Sequence, residues 1–319
     1  MRAESTLACN AFCMADKNTI LVVDDDPKLF GFYWQIFNDD PHEFDLLPRS
    51  EDASRHHPLV PHSLGDFSKF EEMFRQMVDR GEHHPLCIVD MRFEKANDNR
   101  RGFETARLVR ELDPEINIVI ATHLPDVELE DVRLALGDNA FLFRLPMLEE
   151  AQKAEFRNTV HLLVDRWNAK QKLLQSLERS APESVPLSEV LNAICADLRR
   201  ENASIEAYIN PGLGVRSHRE HLANGLGCVL RQAVEASPPS GCIRVFGESA
   251  ASGAVVSVSD ERQGVAPRSA DELAQGNSKA AGLGFFLFET FLSSNGGSLK
   301  VETSGLSGGT TVTADIRNL

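Results

Sequence analysis

The residues able to do chemistry in this sequence are a set of aspartates in its first half and an aspartate followed by glycines in its second. Asp24, Asp25 and Asp26 directly follow an apolar run at 20–23, and Asp90 follows another at 86–89. If both runs are strands of one doubly wound parallel sheet, their carboxyl ends lie together, where such sheets bind ligands. Carboxylates gathered at one edge repel, so the arrangement calls for a cation or for raised pKa values. A hard divalent ion such as Mg²⁺ suits oxygen donors and leaves positions open for phosphate. Taken alone, three aspartates after a strand also read as a solvated turn or a helix cap. In the second half, Asp260 and Gly264 close a pattern of alternating valines and serines, and Gly282 and Gly284 open a helix. Glycines let backbone N–H groups approach a phosphate, and a helix N-terminus favours its charge. The alternative is a tight turn.

The elements that must position these groups alternate in the first half. Apolar runs at 20–23, 86–89, 116–121 and 140–143 predict buried strands. Between them, 102–112 places Phe103, Ala106, Leu108, Val109 and Leu112 near helical spacing. This pattern predicts a parallel sheet covered by helices on both faces. Residues 38–64 hold four prolines and the pair His56-His57, and read as a loop-rich insertion with a short strand at 59–63.

Residues 148–180 contain neither Gly nor Pro and form one helical pattern. Phe156, Val160, Leu163, Trp167, Leu174 and Leu177 follow alternating four- and three-residue steps, broken at Lys170. That heptad seam suggests a two-helix interface, hence a homodimer. His161 lies one position beyond the seam and reads as a solvated residue or, alternatively, a phosphorylatable one. His83-His84 and His56-His57 read as surface histidines. The stretch 180–186 breaks the helix. Beyond it, helices at 187–199, 218–236 and 283–294 and strands at 242–246, 254–259, 298–302 and 310–316 predict an α+β two-layer sandwich with an antiparallel sheet. The organisation expected is a tail at 1–16, a domain at 17–147, a linker helix at 148–180 and a second domain at 181–319.

Several segments carry a family resemblance. ILVVDDDP (20–27), CIVDMR (87–92), GFETARLVRELDPEINIVIATH (102–123) and FLFRLPM (141–147) together resemble the receiver domains of two-component response regulators. That resemblance implies a flavodoxin-like doubly wound fold with Asp90 as phosphoacceptor. It implies Asp25 and Asp90 as Mg²⁺ ligands with the carbonyl of Arg92, Asp24 acting through water, and Thr122 contacting the phosphoryl group. One departure concerns the cation: the family has a lysine directly before the proline after the fifth strand, and here Leu145 precedes Pro146. Arg144 is the substitute candidate, although strand alternation points it the other way.

The second half resembles the ATP-binding domain of histidine kinases and related GHKL ATPases. The likeness rests on Asp260–Gly264, the Gly282-Leu-Gly284 helix start, Asn295-Gly-Gly and Gly308-Gly-Thr-Thr, with the first helix of the domain near 186–200. It implies ATP or ADP as ligand, with Asp260 on the adenine and Gly264, Gly282 and Gly284 on the nucleotide lid. The motifs depart from the family in three places. Gln232 stands where an asparagine holds Mg²⁺, Arg262 replaces a glycine, and Cys228 falls where relatives carry a general base.

Composition bounds the rest. The chain has 319 residues, 42% of them apolar, and a formal charge of −15. That charge argues against a phosphate-backbone partner, since nucleic-acid binding needs a basic patch. No apolar run reaches membrane-spanning length, the first 16 residues lack a secretory layout, and the six cysteines read as reduced thiols of a cytoplasmic protein. Two functions are expected. One is a phosphorelay protein whose receiver, phosphorylated by an upstream histidine kinase or phosphotransfer protein, controls a kinase-like domain that works by binding. The other is an active ATP-dependent histidine kinase regulated by its receiver.

Overall fold

A computed structural model describes residues 18–24, 26–37, 44–47, 64–91, 101–125, 127–137, 140–145, 147, 149–200, 203–238, 241–260, 279–304 and 309–319. The chain divides into two compact units, Met1–Trp167 and Asn168–Leu319.

In the first unit, five strands form one sheet: β1 (Asn18–Val23), β2 (Phe44–Leu47), β3 (Leu86–Asp90), β4 (Asn117–Thr122) and β5 (Ala140–Arg144). They are all parallel, in the order β2-β1-β3-β4-β5, one of the two common doubly wound orders. The connecting helices are α1 (Pro27–Phe37), α2 (Leu64–Asp79), α3 (Arg101–Leu112) and α4 (Leu129–Leu136), and α5 (Glu150–Arg179) follows β5. Side chains alternate across the sheet, so Ile20, Val22, Leu86, Ile88, Val119 and Ala121 face Phe30 and Tyr33 of α1 and Phe156 and Val160 of α5. Leu21, Val23, Cys87, Val89, Ile118 and Ile120 face α2, α3 and α4. Burial on both faces explains why these strands read as continuous apolar runs. The exception is β2, which lies inside the stretch expected to be loop-rich; the strand expected at 59–63 is outside the described residues.

The predicted seam of α5 is used inside the chain. Phe156, Val160 and Leu163 are buried in the first unit's core, while Leu177 packs beside Leu173 in the core of the second. His161 is correspondingly not solvated: it is buried, its ring 5.4 Å from that of Phe44. One further surface expectation is corrected: His84 is buried. His83 stays partly exposed and pairs through Nδ1 with an Asp113 oxygen at 3.1 Å.

The second unit is a two-layer α+β sandwich. Its sheet has the order β11-β12-β10-β9-β7, built from β7 (Ile205–Ile209), β9 (Ile243–Ala250), β10 (Gly253–Ser259), β11 (Ser298–Ser304) and β12 (Gly309–Arg317). The pairs are antiparallel except β7 with β9, which is parallel, so the sheet is mixed rather than wholly antiparallel. The strands β6 (Glu183–Val185) and β8 (Val215–Ser217) form a small separate pair. Three helices, α6 (Leu187–Arg200), α7 (Arg219–Ala236) and α8 (Lys279–Ser294), cover the face that carries Val245, Val256, Val258, Val312 and Ile316.

Contact between α7 and α8 depends on two glycines. A Cβ on Gly225 would overlap the ring of Phe288, and one on Gly284 would lie 2.6 Å from the Cys228 sulfur. The helices therefore run antiparallel, with 225 opposite 288 and 228 opposite 284. Alanine favours helix by up to about 1 kcal/mol over glycine, but overpacking a filled site costs about 1–3 kcal/mol. Gly225→Ala should thus be net destabilising in urea unfolding. Gly31→Ala, in α1 with nothing within 4 Å of its added Cβ, should instead stabilise by about 0.5–1 kcal/mol. Equal effects at the two positions would refute this packing.

Candidate functional site

The carboxyl edge of the parallel sheet gathers three of the predicted residues. Val23 pairs with Val89, so Asp24 and Asp90 are the next residues along neighbouring strands. Asp90 pairs in turn with Ala121, and Thr122 ends β4 beside Arg144 of β5. Asp24, Asp90 and Thr122 are all buried. Alternation from Ile20 and Val22, and from Leu86 and Ile88, sends both aspartates toward the side covered by α1 and α5.

Local structure explains how the aspartates are held. Asp24 Oδ1 accepts a hydrogen bond from the Asp26 amide at 2.8 Å, turning the chain into α1, whose first residue is Pro27. Proline suits that position because its missing N–H is one the helix leaves unbonded anyway. On the other strand, the Gly102 amide donates to the Met91 carbonyl at 3.3 Å. A Cβ on Gly102 would overlap the Asp90 carbonyl and Met91, so only glycine lets α3 begin against the end of β3. Thr122 Oγ1 accepts from the Leu124 amide at 3.1 Å, which ties its hydroxyl to the loop after β4.

Tyr33 joins this group without any sequence signal beyond its place on an apolar helix face. Burial, then the charges of Asp24 and Asp90, raise its pKa well above the ordinary phenol range. It stands as a neutral hydroxyl within electrostatic reach of both carboxylates, with no hydrogen-bond partner among the described residues.

The substitute cation goes elsewhere. Leu145, at the position expected for lysine, is buried in the core beneath α1 and α5. Arg144 donates from its guanidinium to the carbonyls of Leu124, Val127 and, at 3.3 Å, Pro125, and lies 3.9 Å from a Glu128 oxygen. It is committed to the loop between β4 and α4. Asp25 and Arg92 lie outside the described residues, and no group of three or more metal-type side chains assembles among the described ones. Asp24 and Asp90 supply hard oxygen donors of the kind Mg²⁺ prefers.

In the second unit, Asp260 follows β10 and is buried. It pairs with Thr310 twice: Thr310 N donates to Asp260 Oδ1 at 3.1 Å, and Asp260 N donates to the Thr310 carbonyl at 2.9 Å. The Thr310 hydroxyl is buried with no hydrogen-bond partner among the described residues. A buried hydroxyl of that kind beside a carboxylate suits a ligand carrying both donors and acceptors. Gly282 is buried near the start of α8; Gly264 lies outside the described residues. Extending the α7–α8 register by one turn brings Gln232 opposite the N-terminus of α8, where an anion would be favoured. Cys228 serves helix packing instead. Its thiol sits against Gly284, and burial raises its pKa, which keeps it protonated and unfit as a base.

No family model matches the sequence, and no curated protein matches it. Solved structures similar to the chain include the mycobacterial sensor histidine kinase MprB, at 21% identity and a TM-score of 0.38, over 42% of this chain and 97% of that one. The catalytic domain of histidine kinase ThkA is similar at 18% identity and 0.38, over 44% and 97%. The Acinetobacter baumannii histidine kinase AdeS is similar at 18% identity and 0.38, over 53% and 85%. A likeness this distant assigns no residue a role. Among the described residues, no helix is long and apolar enough to cross a membrane.

His218, the N-cap of α7, and His221 in its first turn join that helix to the end of α5 within the second unit. Ser176 Oγ donates to the Leu173 carbonyl at 2.8 Å and lies 2.7 Å from His221 Nε2. A hydroxyl has one proton, so Ser176 accepts from His221, assigning that ring's proton to Nε2. Ser180 Oγ likewise donates to the Ser176 carbonyl and accepts from His218 Nδ1 at 2.9 Å. Burial and the neighbouring His221 lower the His218 pKa from 6.5, and burial lowers that of His84 in the first unit. Below about pH 6.5 these two histidines therefore bind more protons in the unfolded chain than in the folded one, and what they contribute to stability falls as the pH drops toward the folded values. His218→Gln should lose part of the stability slope measured in urea between about pH 7.5 and about pH 5.5. An unchanged slope would exclude His218 as a contributor.

Proposed function

We propose that this chain is a two-component signalling protein whose first unit is a receiver phosphorylated on Asp90 and whose second unit is a kinase-like output module. The observation that carries the reading is the row of Asp24, Asp90 and Thr122, buried at the carboxyl ends of β1, β3 and β4 in a sheet ordered β2-β1-β3-β4-β5. A carboxylate oxygen of Asp90 attacks the phosphorus of an incoming phosphohistidine in line; the P–N bond breaks as the P–O bond forms. The phosphohistidine belongs to an upstream histidine kinase or phosphotransfer protein. Asp24 and Asp25 would hold Mg²⁺ with Asp90, and the ion when bound offsets charge on the transferring group. Thr122 meets the phosphoryl oxygens by turning its hydroxyl from the Leu124 amide, and Arg144 carries that change into the loop it grips. Phosphorylation then shifts a two-state surface rather than driving chemistry elsewhere.

For the second unit, binding of ATP or ADP at Asp260, Thr310 and the start of α8 is part of the proposal. An active kinase is the second reading, favoured by the Asp260–Thr310 pair and opposed by Gln232, Arg262 and the protonated Cys228. Homodimerisation through 148–180 would need a face of α5 other than the predicted seam, because Phe156, Val160 and Leu163 are already covered.

Beryllofluoride with Mg²⁺, added to the full chain, should shift the Thr122 amide resonance, and Asp90→Asn should abolish the shift. Silence at Thr122 in the folded wild type would overturn the receiver assignment. Incubation with γ-labelled ATP separates the two readings of the second unit: label lost on Asp260→Ala supports the kinase, and no incorporation supports output by binding.

A further inference from the structure

A cavity in the second unit is left over by the proposed function. It is an open pocket bordered by three helices, and its described lining residues fall within 169–291 of that unit. Its volume is about 370 Å³, within the roughly 300–1,000 Å³ typical of small-molecule sites. Leu173 of α5 and Leu287, Phe288 and Phe291 of α8 make the walls apolar, and Gly225 and Gly284 lie where α7 meets α8. The glycines that bring those helices together thus also set the shape of the space beside them.

Its polar fringe is selective. Among the described residues no acidic side chain lines it, in a chain with 48 acidic and 33 basic residues. Among the described lining residues the exposed Lys172 carries a fixed charge, and the exposed Asn224 adds an amide donor. Ser176 and His221 also border the space, but they are hydrogen-bonded to each other and the hydroxyl proton is already given to Leu173. An apolar group entering the cavity would leave those two groups bonded, and a cationic head would meet Lys172.

We propose that this cavity binds a small monocarboxylate with an extended apolar body, its tail among Leu173, Leu287, Phe288 and Phe291 and its carboxylate at Lys172. Burial of apolar surface supplies most of the affinity. An exposed lysine adds little more than a preference for the anion, since solvent screens such pairs.

Hexanoate, octanoate and decanoate titrated calorimetrically into the full chain test this, with decanol and decylamine for comparison. Affinity should rise about fourfold per added methylene until the cavity fills. Decanoate should bind about three- to fivefold tighter than decanol, and decylamine should bind more weakly than either. Lys172→Met, which keeps the apolar stem, should remove the preference for decanoate over decanol while retaining decanol binding. Ala169→Trp, which fills the space, should abolish binding of both. Methyl NMR of Leu173 and Leu287 in the wild type gives a readout independent of how that variant folds: decanoate should shift both. Absence of saturable decanoate binding, unmoved Leu173 and Leu287 methyls, or undiminished binding to a folded Ala169→Trp variant would each overturn the site. Decanol binding as tightly as decanoate to the wild type would overturn the carboxylate assignment.

Discussion

Two carboxylates buried side by side on neighbouring parallel strands set the terms for the first unit. Asp24 follows four apolar residues at the end of β1, and Asp90 ends β3 after four more. A charge removed from water must recover its hydration from partners, and two like charges on adjacent strands raise that requirement. The surrounding structure meets it piecemeal. The Asp26 amide bonds Asp24, Tyr33 brings a neutral hydroxyl close, and Gly102 removes the Cβ that would keep α3 from the end of β3. The Arg144 cation is not available to them, because it is bonded to the loop after β4. Oxygens of this kind also suit a divalent ion, the partner proposed for them above.

The same edge is tied to a surface loop. Thr122 lies next to Asp90's strand and is bonded to Leu124, while Arg144 grips Leu124, Pro125 and Val127 from the neighbouring strand. A change at the Asp90 carboxylate that drew on the Thr122 hydroxyl would compete with its bond to Leu124. Segments held mainly by a few hydrogen bonds tend to change state at low cost. In the second unit the corresponding constraint is steric. The close approach of α7 and α8 at Gly225 and Gly284 fixes which residues face the start of α8, and it commits Cys228 to packing.

Much of this was legible in the sequence where burial is simple. The strands β1, β3 and β4 lie inside the sheet and read directly as apolar runs, as does the half-buried edge strand β5. The short strand β2, with Asp45 inside Phe44–Leu47 and prolines on both sides, gives no such run. In the second unit β7 gives no clear signal because Glu206 and Tyr208 face outward, breaking its apolar content. The stripe on α5 correctly indicated a buried face, but periodicity cannot say what covers it: Phe156 and Val160 meet their own sheet, and His161 is carried inward with them. Strand alternation did foretell that Arg144 would point away from the position Leu145 occupies. What the Tyr33 and Thr310 hydroxyls do was beyond reach, since it depends on Asp90 and Asp260, far along the chain from them.

The most direct measurement of the central claim is the site of phosphorylation itself. The full chain would be incubated with acetyl phosphate and Mg²⁺, reduced with borohydride to convert any acyl phosphate to homoserine, and mapped by peptide mass spectrometry. Homoserine is expected at position 90 and is expected to be absent from an Asp90→Asn variant. Reduction at other carboxylates only, or none in a chain that remains folded, would contradict it.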